Sequence, residues 1–373
     1  IMKMIERHEI FRTTFLEVDG EPVQKVSVSS PTFKLIMKNK QEIEEEVKLE
    51  EYIQSFAKKA FDIEKGPLIN FELIKIDEHF HYFLFNVHHI IYDAWSLDIF
   101  KKELLNIYTH LEKGDELQIS DPEYHYADFA NWESESLLDG KLEQSIGFWK
   151  EYLKDASPFL QLQADFPRPR EQTYSGNNIR LSFPNELVGK VREYTQKSGS
   201  TMNAFFMAAY FILLYRYTGQ KDIVIGSPIS NRKAAFTEDM IGFIVNTLPI
   251  RMSLKPYSKF SSVLKKTIKS FLNVYENSTV PFERIVQEVN PKRENSYHPI
   301  FQVLFTYHEQ RTEVEQCLKV EYEKINTGTS KFDKVLYINA EGNQAYAEIE
   351  YNPDILSKQS MERFINHYIQ LVQ

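Results

Sequence analysis

Two adjacent histidines, His88 and His89, are followed by Asp93 four residues after the second and by Ser96 three residues later. Imidazole titrates nearest neutral pH of the side chains, which suits it to moving protons. A turn that fixes one imidazole at a strand end is therefore a place for general acid–base chemistry. The plainer reading is that both rings merely satisfy hydrogen bonds at the end of a strand. A metal centre is a third option. His79, His81, His88 and His89 could gather across a hairpin, and imidazole binds transition metals. In an extended strand, however, consecutive side chains face opposite ways, and no Glu stands at a matching position, so no metal is expected.

These residues need elements to hold them. Segments 68–76 and 80–89 read as strands joined by the short turn Asp77-Glu78-His79. Phe83, Phe85, Val87 and His89 fall on one face; Tyr82, Leu84, Asn86 and His88 fall on the other. Both faces are largely apolar, which predicts a central strand covered on both sides and two rings pointing apart. Leu97, Phe100, Leu104, Tyr108 and Leu111 mark one face of a following helix, with Asp93 or Ser96 as its N-cap. Arg7 and Arg12, near the end of a first helix, could supply the cation that a buried Asp93 requires.

Further along, the periodicity predicts helices over 142–153, 185–198 and 201–218, and strands over 179–183 and 222–225. Residues 242–251 read as one apolar strand, interrupted by Asn246 and Thr247. A buried Asn must find polar partners, which makes Asn246 a candidate for lining a polar tunnel. A helix is expected over 280–286 and a strand over 299–307. Asp165-Phe166-Pro167-Arg168-Pro169-Arg170 is stiff and short of backbone donors, so the boundary between two lobes is expected there, giving residues 1–166 and 167–373. Helices and strands alternate throughout, so the class is α/β or α+β. Ile1 falls inside a helical pattern, and the chain is expected to be an excerpt of something longer.

The 373 residues are 42% hydrophobic and can bury large cores. A formal charge of −9 gives no basic footprint, so a nucleic-acid partner is not expected. Cys317 is the only cysteine, which excludes an internal disulfide and a cysteine-rich zinc site. No apolar run is long enough to span a bilayer and no signal peptide is evident, so a cytoplasmic location is expected, without membrane association.

The ordered motifs resemble the condensation domain of non-ribosomal peptide synthetases. Arg7-His8-Glu9-Ile10-Phe11-Arg12-Thr13-Thr14-Phe15 is similar to the family's RHExLRTxF segment, and Phe61-Asp62-Ile63-Glu64-Lys65-Gly66-Pro67-Leu68 to its FDxxxGPL segment. Residues 88–96 match its HHxxxDxxS signature. Residues 217–228, 242–251, 280–286, 299–303 and Tyr351-Asn352-Pro353-Asp354 match the later motifs in order. Each match alone is ordinary; the ordered set is specific.

The resemblance implies two chloramphenicol-acetyltransferase-like lobes in a V-shaped pseudo-dimer with a central tunnel. It implies amide formation between a donor acyl or peptidyl thioester and an acceptor aminoacyl thioester. Both substrates would be tethered to the phosphopantetheine of donor and acceptor peptidyl carrier proteins, beside an adenylation domain of the same assembly line. No intrinsically bound cofactor is implied. By the same resemblance His89 faces the tunnel as the catalytic imidazole and His88 is structural. Asp93 pairs with Arg7, the backbone N–H after Asp93 is a candidate oxyanion donor, and Asn246 and Thr247 line the tunnel.

Three departures bear on this. Ala94 stands where the family usually has Gly, and its methyl is expected to narrow the tunnel or restrict the turn. Asn277 replaces a commonly basic residue. The family's earliest motif has no counterpart before Ile1. Heterocyclisation relatives carry Asp at the position of His88, and epimerisation relatives usually follow the serine with Trp-Arg, unlike Ser96-Leu97-Asp98. Ester formation would use the same residues, and Ala94 keeps a non-catalytic carrier-docking domain open.

Overall fold

Both strands expected before the histidine turn form, and a helix follows them. The computed structural model describes residues 1–28, 35–115, 119–138, 142–157, 159–310 and 318–373. Pro158 and Cys317 lie outside the described residues. The chain divides into two compact units. The first comprises Ile1–Asp139, Ser230–Val245 and Glu315–Thr327; the second comprises Gly140–Ile229, Asn246–Val314 and Gly328–Gln373. Residues 165–170, expected at the boundary, thus sit within the second unit. Polar clamps hold them there. The Asp165 carboxylate accepts from the Ser357 N–H at 2.8 Å and the Ser360 hydroxyl at 2.6 Å, and the Arg168 guanidinium grips both oxygens of Asp333.

In the first unit, helix α1 (Met2–Arg7) leads into the hairpin β1 (Thr13–Val18) and β2 (Glu21–Val26). Next come β3 (Ile36–Asn39), α2 (Lys40–Glu44), α3 (Leu49–Ala57), β4 (Ile69–Lys75) and β5 (His81–Val87). Helices α4 (Ala94–Lys113) and α5 (Tyr126–Leu138) complete the set. The sheet order is β3-β4-β5, with β3 parallel and β5 antiparallel to β4. β5 therefore lies at a sheet edge rather than at the centre, and Tyr82 and Phe83 stay 37% and 38% exposed. The doubly apolar pattern that suggested a central strand serves a different purpose at its far end. Phe85 stacks on Phe100 of α4 with ring centroids 4.7 Å apart, and Phe71 of β4 stacks on both. Met4, Ile5, Phe11, Ile69, Ile91, Ile107 and Ile241 close the same core. Each such fully buried apolar side chain is worth about 1.5–3 kcal/mol. α4 starts at the Asp93 cap and ends at Gly114, whose φ of 71° is the left-handed conformation that glycine adopts without a Cβ penalty.

The second unit contains α6 (Leu142–Leu153), β6 (Asn177–Ser182), α7 (Asn185–Ser198), α8 (Met202–Thr218), β7 (Asp222–Ile229) and β8 (Asn246–Ser253). It continues with α9 (Phe260–Glu276), α10 (Phe282–Val289), β9 (Val303–Gln310), β10 (Lys334–Glu341), β11 (Gln344–Tyr351) and α11 (Lys358–Val372). Its sheet runs β6-β11-β10-β9-β7-β8, with β9 parallel to both β10 and β7 and the remaining pairs antiparallel. α8 is apolar nearly all round and is buried accordingly, capped by the Thr201 hydroxyl and ended at Gly219. On α8 Phe205, Ala208, Ala209 and Leu213 are buried, whereas Tyr217 is partly exposed and its hydroxyl meets His367.

The run 242–251 is not one strand. Only Asn246–Ser253 enters the sheet as β8, while residues 242–245 belong to the first unit. The cause is polar: the backbone N–H groups of Gly242, Ile244 and Val245 are taken by Ser96 and Asp93.

Candidate active site

The histidine turn joins the end of β5 to the start of α4. The strand stops at Val87, and residues 89–91 form a single 3₁₀ turn. Strand alternation therefore no longer governs the two rings. His88 is half-buried; its Nδ1 accepts from the Ile90 N–H at 3.1 Å and its ring meets Phe61 edge-on. His89 is exposed. Its Nδ1 lies 2.6 Å from the Tyr92 carbonyl oxygen. A carbonyl can only accept, so Nδ1 carries the proton and Nε2 of the neutral ring keeps its lone pair. That arrangement makes His89 a proton acceptor. Phe243 stands perpendicular to the ring, with centroids 5.1 Å apart.

His79 and His81 do not join them. They sit at the opposite end of β5. Among the described residues no group of three or more His, Cys, Asp or Glu side chains is placed to hold a metal.

Asp93 is buried and caps α4. Its Oδ1 accepts from the Ser96 N–H at 2.8 Å and lies 2.7 Å from the Ser96 hydroxyl. Oδ2 accepts from the Ile244 and Val245 N–H groups at 3.1 and 3.2 Å. Ser96 Oγ also bridges the Gly242 carbonyl and N–H at 2.8 and 3.0 Å. The cation paired with Asp93 is Arg232, whose Nη2 lies 3.2 Å from Oδ1 and from Ser96 Oγ. Arg7, the expected partner, instead binds Glu103 at 3.2 Å and the Ser120 carbonyl. Arg12 binds the Ser27 carbonyl and Glu9. Burial would raise the Glu103 carboxyl, but the His8 bond at 2.6 Å and the Arg7 charge outweigh it and hold it below its ordinary range. Burial also lowers Arg232, opposed by Asp93. Its Nη1 donates to the Thr237 and Met240 carbonyls, and the guanidinium lies over the Trp95 ring at 5.8 Å.

Ala94 is the first residue of α4 and is exposed. It is not among the residues with positive φ, so the turn does not demand glycine there. The expected restriction of the turn is therefore absent; the methyl only adds bulk at an exposed position. With the Ser96 and Leu97 N–H groups bound to Asp93, the N–H groups of Ala94 and Trp95 meet no acceptor among the described residues.

In the second unit, Asn246 is buried and fully engaged. Its Nδ2 donates to the Ser278 and Val280 carbonyls at 2.9 and 2.8 Å, and Oδ1 accepts from the Phe282 N–H at 3.2 Å. Its amide thus braces the entry to α10. Thr247 is half-buried opposite Pro228 of β7. Asn277 ends α9 and accepts from the Trp149 indole at 3.0 Å through its carbonyl.

A family model for the condensation domain matches residues 1–373. The chain belongs to the condensation-domain family. It is 31% identical over 375 residues to gramicidin S synthase 2 of Brevibacillus brevis, covering 100% of this chain and 8% of that protein. It is 32% identical over 373 residues to surfactin synthase subunit 2 of Bacillus subtilis (strain 168), covering 100% of this chain and 10% of that protein. The domain thus spans a tenth or less of these two curated relatives. Among solved structures, the condensation domain of monacolin K polyketide synthase superposes with a TM-score of 0.85 at 20% identity, covering 99% of this chain and 86% of that one. The fold is accordingly the mixed α/β, chloramphenicol-acetyltransferase-like fold of condensation domains.

Arg232 is the residue that sequence reasoning missed. It follows β7 in a stretch with no periodicity of its own, and a single sequence carries no sign that this stretch returns to the first unit. The usable signal was chemical: Asp93 had to find a cation.

Proposed function

We propose that this condensation domain forms an amide between two carrier-bound substrates. The acceptor amine attacks the carbonyl carbon of the donor thioester. A C–N bond forms, the C–S bond breaks, and the phosphopantetheine thiol of the donor carrier is released with a proton. An α-amine has an unperturbed pKa near ~8, so at neutral pH much of it must lose a proton before it attacks. His89 Nε2 takes that proton. The Ala94 and Trp95 N–H groups are the donors available to the oxyanion of the tetrahedral intermediate.

The observation that carries this reading is the bond from His89 Nδ1 to the Tyr92 carbonyl, which leaves Nε2 as a free base on an exposed ring. Family membership supports this substrate class, and with it donor and acceptor carrier proteins and a neighbouring adenylation domain as the partners proposed. A cytoplasmic setting suits the free thiols of the reaction. Among the described residues no helix is long and apolar enough to cross a membrane.

His89→Ala should lower the rate of amide formation between two loaded carrier proteins by about 10²–10⁴-fold with the melting temperature unchanged, as the ring is exposed. Intact-mass analysis of the acceptor carrier reads the product. Undiminished product from His89→Ala would remove the catalytic assignment. No product from the unsubstituted domain with any loaded pair would favour carrier docking without catalysis.

A further inference from the structure

We infer that Phe243 is the positioning residue for His89: it fixes the plane of the imidazole so that Nδ1 stays on the Tyr92 carbonyl and Nε2 stays available. The inference rests on the reading of His89 as the proton acceptor. One hydrogen bond leaves an exposed ring free to swing about its side-chain torsions, because water competes for both partners and the net gain of a single bond is small. A second contact is needed to hold the plane. Phe243 provides it, perpendicular to His89 at 5.1 Å, which is the edge-to-face geometry favoured by aromatic quadrupoles.

Phe243 is itself 40% exposed, which is costly for a phenyl ring with no role in the core. Its backbone, in contrast, is held on every side. The preceding Gly242 exchanges two hydrogen bonds with Ser96. The following Ile244 and Val245 donate to Asp93. The Phe243 carbonyl accepts from the Tyr126 hydroxyl at 3.0 Å. Burial raises the Tyr126 phenol, which keeps it protonated and able to donate. Gly242 makes that bond possible, since a Cβ there would lie 2.2 Å from the Tyr126 ring. A ring left half in solvent on a backbone this firmly anchored is placed for what it touches, and it touches the imidazole. The Asp93–Ser96 pair thus holds both sides of the contact: it caps the helix that follows His89 and anchors the segment that carries Phe243.

The test is the ¹⁵N signature of the His89 imidazole, read by NMR beside steady-state kinetics with loaded carriers. The unsubstituted domain should show the Nδ1–H tautomer alone. In Phe243→Ala the shifts should move toward the average of both tautomers. kcat should fall about tenfold or more, with KM for each carrier within about twofold, since the interaction removed is not one made by the carriers. Phe243→Tyr, which keeps the ring, should restore both readouts. If Phe243→Ala does not fold, Phe243→Leu carries the same expectation, because it keeps apolar bulk without a ring. Unchanged shifts and unchanged kcat in the ring-less variant would overturn the inference. Moved shifts together with full activity of His89→Ala would leave the positioning role standing and remove the catalytic role of His89 instead.

Discussion

At the scale of single residues, the Asp93 carboxylate organises the site more than either histidine does. It caps α4, binds two N–H groups of the returning segment and faces the buried guanidinium of Arg232. Removing one member of a buried pair strands the other's charge, at about 3–5 kcal/mol. Arg232→Ala should therefore lower the unfolding free energy by about that amount, and Arg7→Ala by clearly less, because Arg7 and Glu103 are both partly solvated. Urea denaturation of the two variants decides the matter; equal losses would show that the Asp93–Arg232 pair has no special weight. Ala94 carries a smaller expectation. With an unexceptional φ at the first turn of α4, Ala94→Gly should cost no more than about 1 kcal/mol by the same measurement.

At the scale of elements, α8 offers a contrast between two buried tyrosines. The Tyr210 hydroxyl is buried with no hydrogen-bond partner among the described residues. The Tyr368 hydroxyl of α11 donates to the Phe206 carbonyl of α8 at 2.9 Å. An unpaired buried hydroxyl costs its desolvation, while a paired one contributes about 1 kcal/mol net. Tyr210→Phe should raise stability and Tyr368→Phe should lower it, each by about 1 kcal/mol. The urea midpoints should move in opposite directions with unchanged slopes; shifts of the same sign would contradict this. The element scale also explains why the segment 242–245 leaves the strand pattern. Its N–H groups bond to side chains of the first unit, whereas those of β8 bond to β7.

At the scale of the whole molecule, stability should depend on pH through a group in the core of the second unit. Lys334 is fully buried, and burial lowers its pKa from 10.5 to about 8, opposed by Asp333 and Asp165. Its ammonium also lies 4.3 Å above the Phe364 ring. Below about 8 both folded and unfolded states bind the proton, and the folded state bears the full desolvation penalty. Between about 8 and 10.5 the unfolded state binds more protons, so stability rises with pH through that window. Lys334→Met should remove the penalty, raise stability at pH 7 by on the order of a few kcal/mol, and flatten the profile between pH 8 and 10. A Lys334→Met profile parallel to that of the unsubstituted chain would show that the lysine is not the source. At this scale too, the proposed reaction would be a property of a larger assembly, since on that proposal both substrates arrive on carrier proteins.

Much of the site was legible because its signals are local. Helix and strand periodicity, the Asp93 cap and the HHxxxDxxS spacing all depend on residues within a few positions of one another, where the chain's own geometry sets the contact. The condensation-domain family was legible for a related reason, as its motifs recur in order along the whole chain. What only the tertiary structure decided involves contacts between distant segments. Arg232, 139 residues from Asp93, pairs with it because the chain after β7 returns to the first unit. The same return splits the apolar run at Val245 and brings Phe243 against His89. The place of β5 at a sheet edge depended on which strands pair, and an apolar pattern alone does not encode that. The proton on His89 was likewise settled by a backbone carbonyl, Tyr92, whose direction is fixed by the fold and not by its side chain. Local chemistry named the residues; the path of the chain through space chose their partners.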